Sequence, residues 1–459
     1  MSKRLILILA LAFVVGITAA AFAEVQNVKV SGDITAIGAR RQLTIGDNST
    51  TERNASSFMA SIVRVRVDAD LTDNVMATVR LLNERYWGGG VNSTADTYGD
   101  DNQVEIDLAY ATMKEFLYSP LSLTVGRQEL HFGNDMIVGA INTNNSNGGR
   151  TSSGLTGDPD LSMRKSFDAI RATLNYDPLM IDVIAAQVKE NTLTKRDDNK
   201  LYGVYATYAV DKKTSVSPYW FMRQRQAEDS SVVAQTIGKD DTVHALGVLV
   251  KSSPKDNLSV SAEGAVQLGK AARTPDYVSG YTGTAFTNKD VSRQAWAVEL
   301  GAMYAMPKMK MSPTLTALYA FFSGQKGDVN KKVSSWDPMY ENQTYGHIAN
   351  AMFNQSNAHI AGAILTAKPK DDVTLKGEYY AFWWDKVYGD QTILDVRADP
   401  VCMTDKKFAG QEIDLTATYD YTEDVQFSLM GGMLVPGNAF DKSNRKMANE
   451  VIGSMKVTF

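Results

Sequence analysis

The sequence predicts an all-β protein, a transmembrane antiparallel β-barrel of about 18 strands with short periplasmic turns and long extracellular loops. Three observations predict it. Apolar and polar residues alternate at period 2 along nearly the whole chain. Short turns rich in Asp, Asn, Pro and Lys alternate with long polar connections. The chain ends "EVIGSMKVTF", a strand with one apolar face that runs to an aromatic last residue instead of fraying into a polar tail.

At the N-terminus, "MSKRLILILALAFVVGITAAAFAEVQ" carries a positive start (Lys3, Arg4), an apolar run from Leu5 to Ala19, and the small-x-small site Ala21-Phe22-Ala23. That pattern predicts a secretory signal peptide over residues 1–23, cleaved before Glu24, with 24–459 as the outer-membrane barrel. An uncleaved membrane helix is the alternative; the run is near the lower limit for a span, and the small-residue site favours removal. A lipoprotein would need Cys where Glu24 stands, and the single cysteine, Cys402, excludes an internal disulfide framework. The net charge of −5 becomes more acidic once Lys3 and Arg4 leave, which argues against nucleic-acid binding. After Glu24 no apolar run approaches the length of a membrane helix.

The strands follow in order. In "SIVRVRVDADL", Val63, Val65, Val67, Ala69 and Leu71 share one face, and Arg64, Arg66, Asp68 and Asp70 the other. "VMATVRLL" comes after the turn "TDN". "QVEIDLAYATM" sets Val104, Ile106, Leu108 and Tyr110 against Glu105, Asp107, Ala109 and Ala111. "LSVSAEGAVQLG", "AWAVELGAMY", "TLTALYAFF", "VTLKGEYYAFWW", "EIDLTATYD" and "VQFSLMGGM" repeat the pattern, each near the length a tilted strand needs to cross a bilayer. Short turns fall at 72–74, 176–178, 211–213, 254–257, 370–372 and 422–424. The long polar stretches near 130–164, 270–290, 324–355 and 386–408 read as mobile surface loops.

Lipid permits strands only as a closed barrel, because every backbone group must pair internally. The last strand is therefore expected to pair with a first strand within 26–44, leaving Phe459 at the membrane interface. A large secreted β-sandwich or β-helix would also alternate. The short–long rhythm, the terminal Phe and the aromatics near strand ends (Tyr86, Trp87, Tyr110, Tyr118, Trp220, Trp296, Tyr304, Trp383, Trp384, Tyr419) favour the barrel.

With the apolar parity on lipid, charges are sorted inward, since Arg or Lys at mid-depth on the lipid face costs about 2–4 kcal/mol. The candidate lumen cations are Arg64, Arg66, Arg80, Arg171, Arg223 and Arg225, with Asp68, Glu105, Asp107 and Glu299 as counter-charges. Some would pair across strands and only fill the wall; unpaired arginines would hold anionic groups through their planar fork. Arg223 and Arg225 sit at successive inward positions with no acidic residue of that strand between them. A barrel this wide cannot be filled by wall side chains alone, so a water-filled or loop-plugged channel is expected.

Nothing points to catalysis, a metal or a cofactor. His244 shares parity with Leu246, Val248 and Val250 and is expected on the lipid face, while His131, His347 and His359 fall in or beside loops with no H-E-x-x-H spacing. No C-x-x-C-H and no G-x-S-x-G occurs. The acidic runs "YGDDNQ" (98–103) and "TGDPDLS" (156–162) could bind Ca²⁺ but read more simply as solvated loops.

The stretch "LTVGRQELHFGNDMIVG" (123–139), followed by "SFDAIRATLNY" (166–176) and "DDNKLYGVYATYAVD" (197–211), resembles the alginate-export family of outer-membrane porins. The motif cores are Gly126-Arg127-Gln128 and Phe167 to Arg171; where the family carries a Trp-Arg-rich segment, this chain has "TGDPDLSMRKS". The resemblance implies an eighteen-stranded barrel whose arginine-rich constriction passes an anionic polysaccharide. The expected function is a passive channel in the cell outer membrane for hydrophilic, anionic solutes or polysaccharide. A structural sleeve around a partner such as an electron-transfer protein is the alternative, and a barrel enzyme has little support. Expected partners are outer-membrane lipid and lipopolysaccharide, the anionic solute, and the barrel-assembly machinery through Phe459.

Overall fold

The structure is a computed structural model that describes residues 27–43, 45, 56–88, 104–140, 155, 158–189, 198–226, 240–271, 290–327, 331–387, 392–394, 400–442 and 445–459. Its strands are β1 (Asn27–Gln42), β2 (Ser56–Thr72), β3 (Val75–Tyr86), β4 (Glu105–Met113), β5 (Leu121–Glu129), β6 (Ser166–Asn175) and β7 (Leu179–Lys189). They continue with β8 (Asn199–Ala209), β9 (Thr214–Arg225), β10 (Asp241–Lys255), β11 (Leu258–Ala271), β12 (Val291–Ala305), β13 (Thr314–Phe322) and β14 (Lys332–Val333). The last are β15 (Ala358–Lys370), β16 (Val373–Trp384), β17 (Thr392–Leu394), β18 (Pro400–Cys402), β19 (Phe408–Asp420), β20 (Val425–Pro436) and β21 (Ala448–Thr458). Eighteen of these close an antiparallel barrel; β14, β17 and β18 are short segments of the connections.

The barrel closes as the alternation requires. β1 pairs with β21 from Asp33↔Thr458 to Gln42↔Asn449. Phe459 extends this ladder: its N–H donates to Gly32 O (3.0 Å), and its carbonyl accepts from the Gly32 N–H (2.8 Å). Glycine is required there, because a Cβ would lie 2.4 Å from Arg64 O and 2.7 Å from the Phe459 ring. The proposed signal peptide lies outside the described residues.

Large apolar side chains face outward right around the wall: Ile34, Val79, Ile170, Leu246, Leu300, Leu365, Leu415 and Val451 are all exposed. A continuous belt of that extent is untenable in water and expected in lipid. Near the turns it is edged by Tyr118, Tyr176, Tyr208, Tyr304, Tyr419 and Phe459, and near the long connections by Trp296 and Trp383, all exposed. Among the described residues no helix is long and apolar enough to cross a membrane. His244 lies on the outer face, stacked on Trp220 at 6.1 Å between ring centroids.

Three aromatics depart from the expected orientation. Tyr86 turns inward and donates to Asp158 (2.9 Å), and Trp384 is buried. Tyr110 also faces the lumen, where its hydroxyl accepts from Arg66 (3.4 Å). The cause is a β-bulge in β4. Arg80 pairs with Leu108 but Leu81 with Ile106, so Asp107 is an extra residue. Past a bulge the parity reverses. Leu108 and Tyr110, expected toward lipid with Val104 and Ile106, therefore point inward.

The long connections bring the larger correction. Most of the described parts of 130–164 and 324–355 are not surface loops; they fold into the lumen. Leu130, Met136, Ile137, Val138, Leu155, Trp336, Tyr340 and Ile348 are all buried. Two inward segments join through a parallel bridge at Val138↔Tyr340, with Tyr340 N–H donating to Ile137 O (3.0 Å) and Gly139 N–H to Tyr340 O (2.8 Å). The second segment carries a short helix, α1 (His347–Met352). Together they form a plug packed on Phe167, Tyr205, Tyr219, Phe221 and Phe322 of the wall. The physical reason is geometric: an eighteen-stranded barrel leaves a void too wide for wall side chains to fill, with room for these segments to bury their apolar groups.

Candidate functional site in the lumen

The periplasmic half of the wall carries most of the expected charges. Arg64 on β2 binds Asp33 of β1 at 2.7 Å, its partner in register. Arg66 binds Asp68 on its own strand (2.7 Å), and Asp68 also accepts from Thr78 (2.6 Å). Arg80 of β3 bridges Asp107 (2.6 Å) and Glu129 (2.5 Å). Arg171 of β6 binds Asp182 of β7 (2.7 Å) and lies over the plug's Phe132 ring at 5.4 Å. Arg66 and Arg171 are only partly covered, so their outer edges remain open to the lumen. Lys376 pairs with Glu378 at 2.8 Å. Lys251 reaches the underside of the plug, donating to Gly133 O (3.4 Å). Toward the turns of β8 to β13 a cavity of ≈ 560 Å³ is lined by Lys251 and by hydroxyls of Ser215, Ser253, Ser259, Ser261 and Thr316.

The extracellular half is where wall and plug are joined. Arg223 grips the plug's Asp337 with two parallel bonds (2.7 and 2.5 Å), and Arg293 of β12 adds a third (3.3 Å). Asp241 of β10 holds both arginines from the wall side, at 3.4 and 3.1 Å. Arg225, the last residue of β9, is the register partner of Asp241. Thus the carboxylates opposite Arg223 come from the next strand and from the plug, which no reading of β9 alone could show. Glu299 meets no expected arginine. It accepts from plug groups instead: Asn134 Nδ2 (2.8 Å), the Tyr345 hydroxyl (2.6 Å) and Gln343. Glu105 pairs with Arg164, one of the two basic residues of "TGDPDLSMRKS".

The described part of that segment, 158–166, is not a solvated loop, and its two aspartates are engaged in ion pairs. Asp158 and Asp160 bind Arg41 at 2.9 and 2.6 Å, Glu450 completes the cluster at 2.8 Å, and Ser162 donates to Glu84 (2.9 Å). The run 98–103 lies outside the described residues. Among the described residues no group of His, Cys, Asp and Glu is placed to hold a metal ion. The N-terminus of α1 docks on two wall carboxylates: Glu412 accepts from Ile348 and Ala349 N–H (2.6 and 2.8 Å), and Asp414 from His347 N–H (3.3 Å). These acids neutralise donors that a helix start leaves unpaired.

Within the plug, burial opposes the charge on Asp337, but Arg223 and Arg293 overcome it and hold the carboxyl well below the usual range. Burial pushes Glu341 up to about 8. For His347 burial acts downward, and the carboxylates of Glu378, Asp414 and Glu450 outweigh it, so its pKa is raised.

The two motif cores are neighbours in space. Gly126, Arg127 and Gln128 pair in register with Ala169, Asp168 and Phe167. Gly126 has φ +125° and a Cβ there would lie 2.2 Å from Ala109 O. Arg127 points outward, binding Asp168 through two bonds (2.8 and 2.7 Å) and donating to Ile106 O (3.0 Å), the carbonyl beside the Asp107 bulge. On the lipid side such a carbonyl has no water to satisfy it. Gln128 turns inward to Ala169 O (3.0 Å). The motif thus stabilises the bulge that delivers Asp107 to Arg80; of its two arginines only Arg171 faces the lumen.

The partners that sequence reasoning missed (Asp33, Glu129, Asp182, Asp241, Asp337) lie on other strands or in the plug. For Asp33 and Asp182 the alternation on β1 and β7 was an available signal; for Asp337 there was none.

The comparisons agree with this architecture. The chain matches the family model described as Alginate export over residues 36–454. No curated protein matches the sequence. Among solved structures, OccAB1 of Acinetobacter baumannii superposes with TM-score 0.57 at 12% identity, covering 96% of this chain and 98% of that one. OccK8 (OprE) of Pseudomonas aeruginosa gives 0.56 at 10% identity, with 95% and 98% covered. OccD3 (OpdP) of the same organism gives 0.53 at 11% identity, with 95% and 92% covered. At such identities the likeness is one of fold. Family match, closed wall and apolar belt lead to one conclusion: the chain belongs to the alginate export family and is a porin-like β-barrel of the outer membrane.

Proposed function

We propose that the barrel is a passive channel for hydrophilic, anionic solutes or polysaccharide. The observation that carries this reading is the periplasmic lumen. Arg64, Arg66, Arg171 and Lys376 line it from β2, β6 and β16, and Lys251 of β10 stands over a surface of serine and threonine hydroxyls. Cations and hydroxyls suit a solute that carries carboxylates and sugar hydroxyls together. Because each of these arginines already has a carboxylate partner, attraction for a passing anion is weak and repeated, as transit requires. The sleeve alternative fares less well, since the chain's own plug occupies the half of the lumen adjoining the long connections. Partners remain part of the proposal: lipid and lipopolysaccharide on the outer belt, and the assembly machinery at Phe459, whose side chain is exposed. So does maturation at Glu24.

Planar-bilayer recordings of the purified protein with a polyanion added to one side test the channel. Polyanion-induced current blocks that depend on voltage polarity are expected. An ohmic leak indifferent to polyanion, or no conductance under any condition that loosens the plug, would overturn it.

A further inference from the structure

Two arginines on the wall hold a carboxylate that does not belong to the wall. Arg223 and Arg293 stand on β9 and β12, and Asp241 on the intervening part of the sheet binds a guanidinium of each. Asp241 therefore keeps both forks aimed at the lumen whatever stands in front of them. What stands there is Asp337, contributed by the plug and bound by four nitrogen–oxygen contacts of 3.4 Å or less shared with these arginines and its own chain. All four side chains are almost wholly buried, Arg223 and Arg293 at 2% and 3% exposure, and the Arg223 Nε has no acceptor among the described residues.

We propose that Arg223 and Arg293, organised by Asp241, form a carboxylate-binding site that the plug's Asp337 fills, and that carboxylate-bearing solutes compete for it and thereby release the plug. This rests on the channel reading above and adds to it the place where solute and gate meet. Charge and shape both favour a carboxylate. The native occupant is a planar monoanion, and the guanidinium fork matches two coplanar oxygens. Withdrawal of Asp337 without replacement leaves two guanidiniums short of a partner, which is costly for a buried ion pair. A solute carboxylate in its place removes that cost. Binding that occurs only in the released state shifts the plug equilibrium by the factor 1 + [L]/Kd.

The test is hydrogen exchange, read by mass spectrometry, over the plug segment 335–345 of the folded wild-type protein in detergent at fixed ionic strength. Sodium glucuronate is the probe, with glucose, chloride and inorganic phosphate as controls. Exchange should rise about tenfold when glucuronate reaches about ten times its Kd, and glucose and chloride should leave it unchanged. Asp337→Asn should exchange fast without glucuronate and respond no further. The proposal is overturned if glucuronate has no effect, if glucose or chloride acts equally, or if Asp337→Asn keeps wild-type protection. An equal response to phosphate would overturn the carboxylate assignment. The channel reading fails separately: plug release by glucuronate with no conductance sinks the channel and leaves the site, while anion conductance with an indifferent plug does the reverse.

Discussion

Deleting Val457, Thr458 and Phe459 should prevent the barrel from closing, by an amount that follows from the ladder. Phe459 exchanges two backbone hydrogen bonds with Gly32, and the Thr458 N–H donates to Asp424 O at 2.8 Å. Val457 and Thr458 also pair with Ile34 and Asp33. Truncation leaves at least the Gly32 N–H, the Gly32 carbonyl and the Asp424 carbonyl without partners. Asp424 lies in an exposed turn where water can replace the lost donor, so at about 1–3 kcal/mol for each of the two Gly32 groups the loss is about 2–6 kcal/mol, a large share of a typical domain's stability. Phe459→Ala is the informative companion. It keeps the backbone bonds and removes a side chain that is 55% exposed, so in vitro refolding should be near normal while assembly in cells falls. Heat-modifiable mobility in SDS gels reports the folded fraction for both variants. A truncated chain that refolds to wild-type yield would refute the closing-strand account, and a Phe459→Ala chain that assembles normally in cells would refute recognition of the terminal aromatic.

Other outcomes follow from the same geometry. Arg80→Gln strands Asp107 and Glu129 and should cost about 3–5 kcal/mol, read as a lower unfolding midpoint in detergent; adding Asp107→Asn should recover part of it. Arg127→Ala should lower the yield of folded barrel and leave ion selectivity unchanged, because its guanidinium caps Ile106 O on the outer face. Plug docking should weaken as pH rises. Glu341, raised from 4.5 to about 8, favours the docked state while protonated, so its contribution is complete near pH 4.5 and gone above about pH 8. His347, with its pKa raised above 6.5, contributes in the same direction, losing its stabilisation as pH passes through its raised value. Glu341→Gln should abolish the part of this slope below about pH 6.5, measured as intrinsic-rate-corrected hydrogen exchange over 332–357; a slope identical to wild type would contradict it.

The wall was legible because lipid imposes one rule on every strand. Val63 to Leu71 against Arg64 to Asp70 needed only parity, and so did the match of Val451, Met455 and Val457 to the outer face. Parity failed at Asp107, where a single inserted residue reversed Leu108 and Tyr110; local sequence carries no mark of such a bulge beyond the neighbouring motif that stabilises it. The plug was illegible for a different reason. "SSWDPMYENQTYGHIANAMF" mixes apolar and polar residues at no fixed period, as an irregular segment does whether it lies in solvent or in a lumen. Only the wall around it, supplying Arg223, Gln267, Glu299 and Glu412 to its polar groups, decides between the two. The counter-charges followed the same division. Asp68 and Asp107 were found because they lie on wall strands beside their arginines, whereas Asp337 depends on how a loop folds.

The most direct test of the central claim, an anion-passing barrel closed by its own loops, is the reversal potential of single channels under a salt gradient, recorded for wild type and Asp337→Asn in the same bilayer. Wild type should open rarely and Asp337→Asn often, with a reversal potential on the anion side that weakens as salt screens the lumen charges. Cation selectivity in both proteins, or a closed barrel after Asp337 is neutralised and the plug is shown to be released, would contradict it.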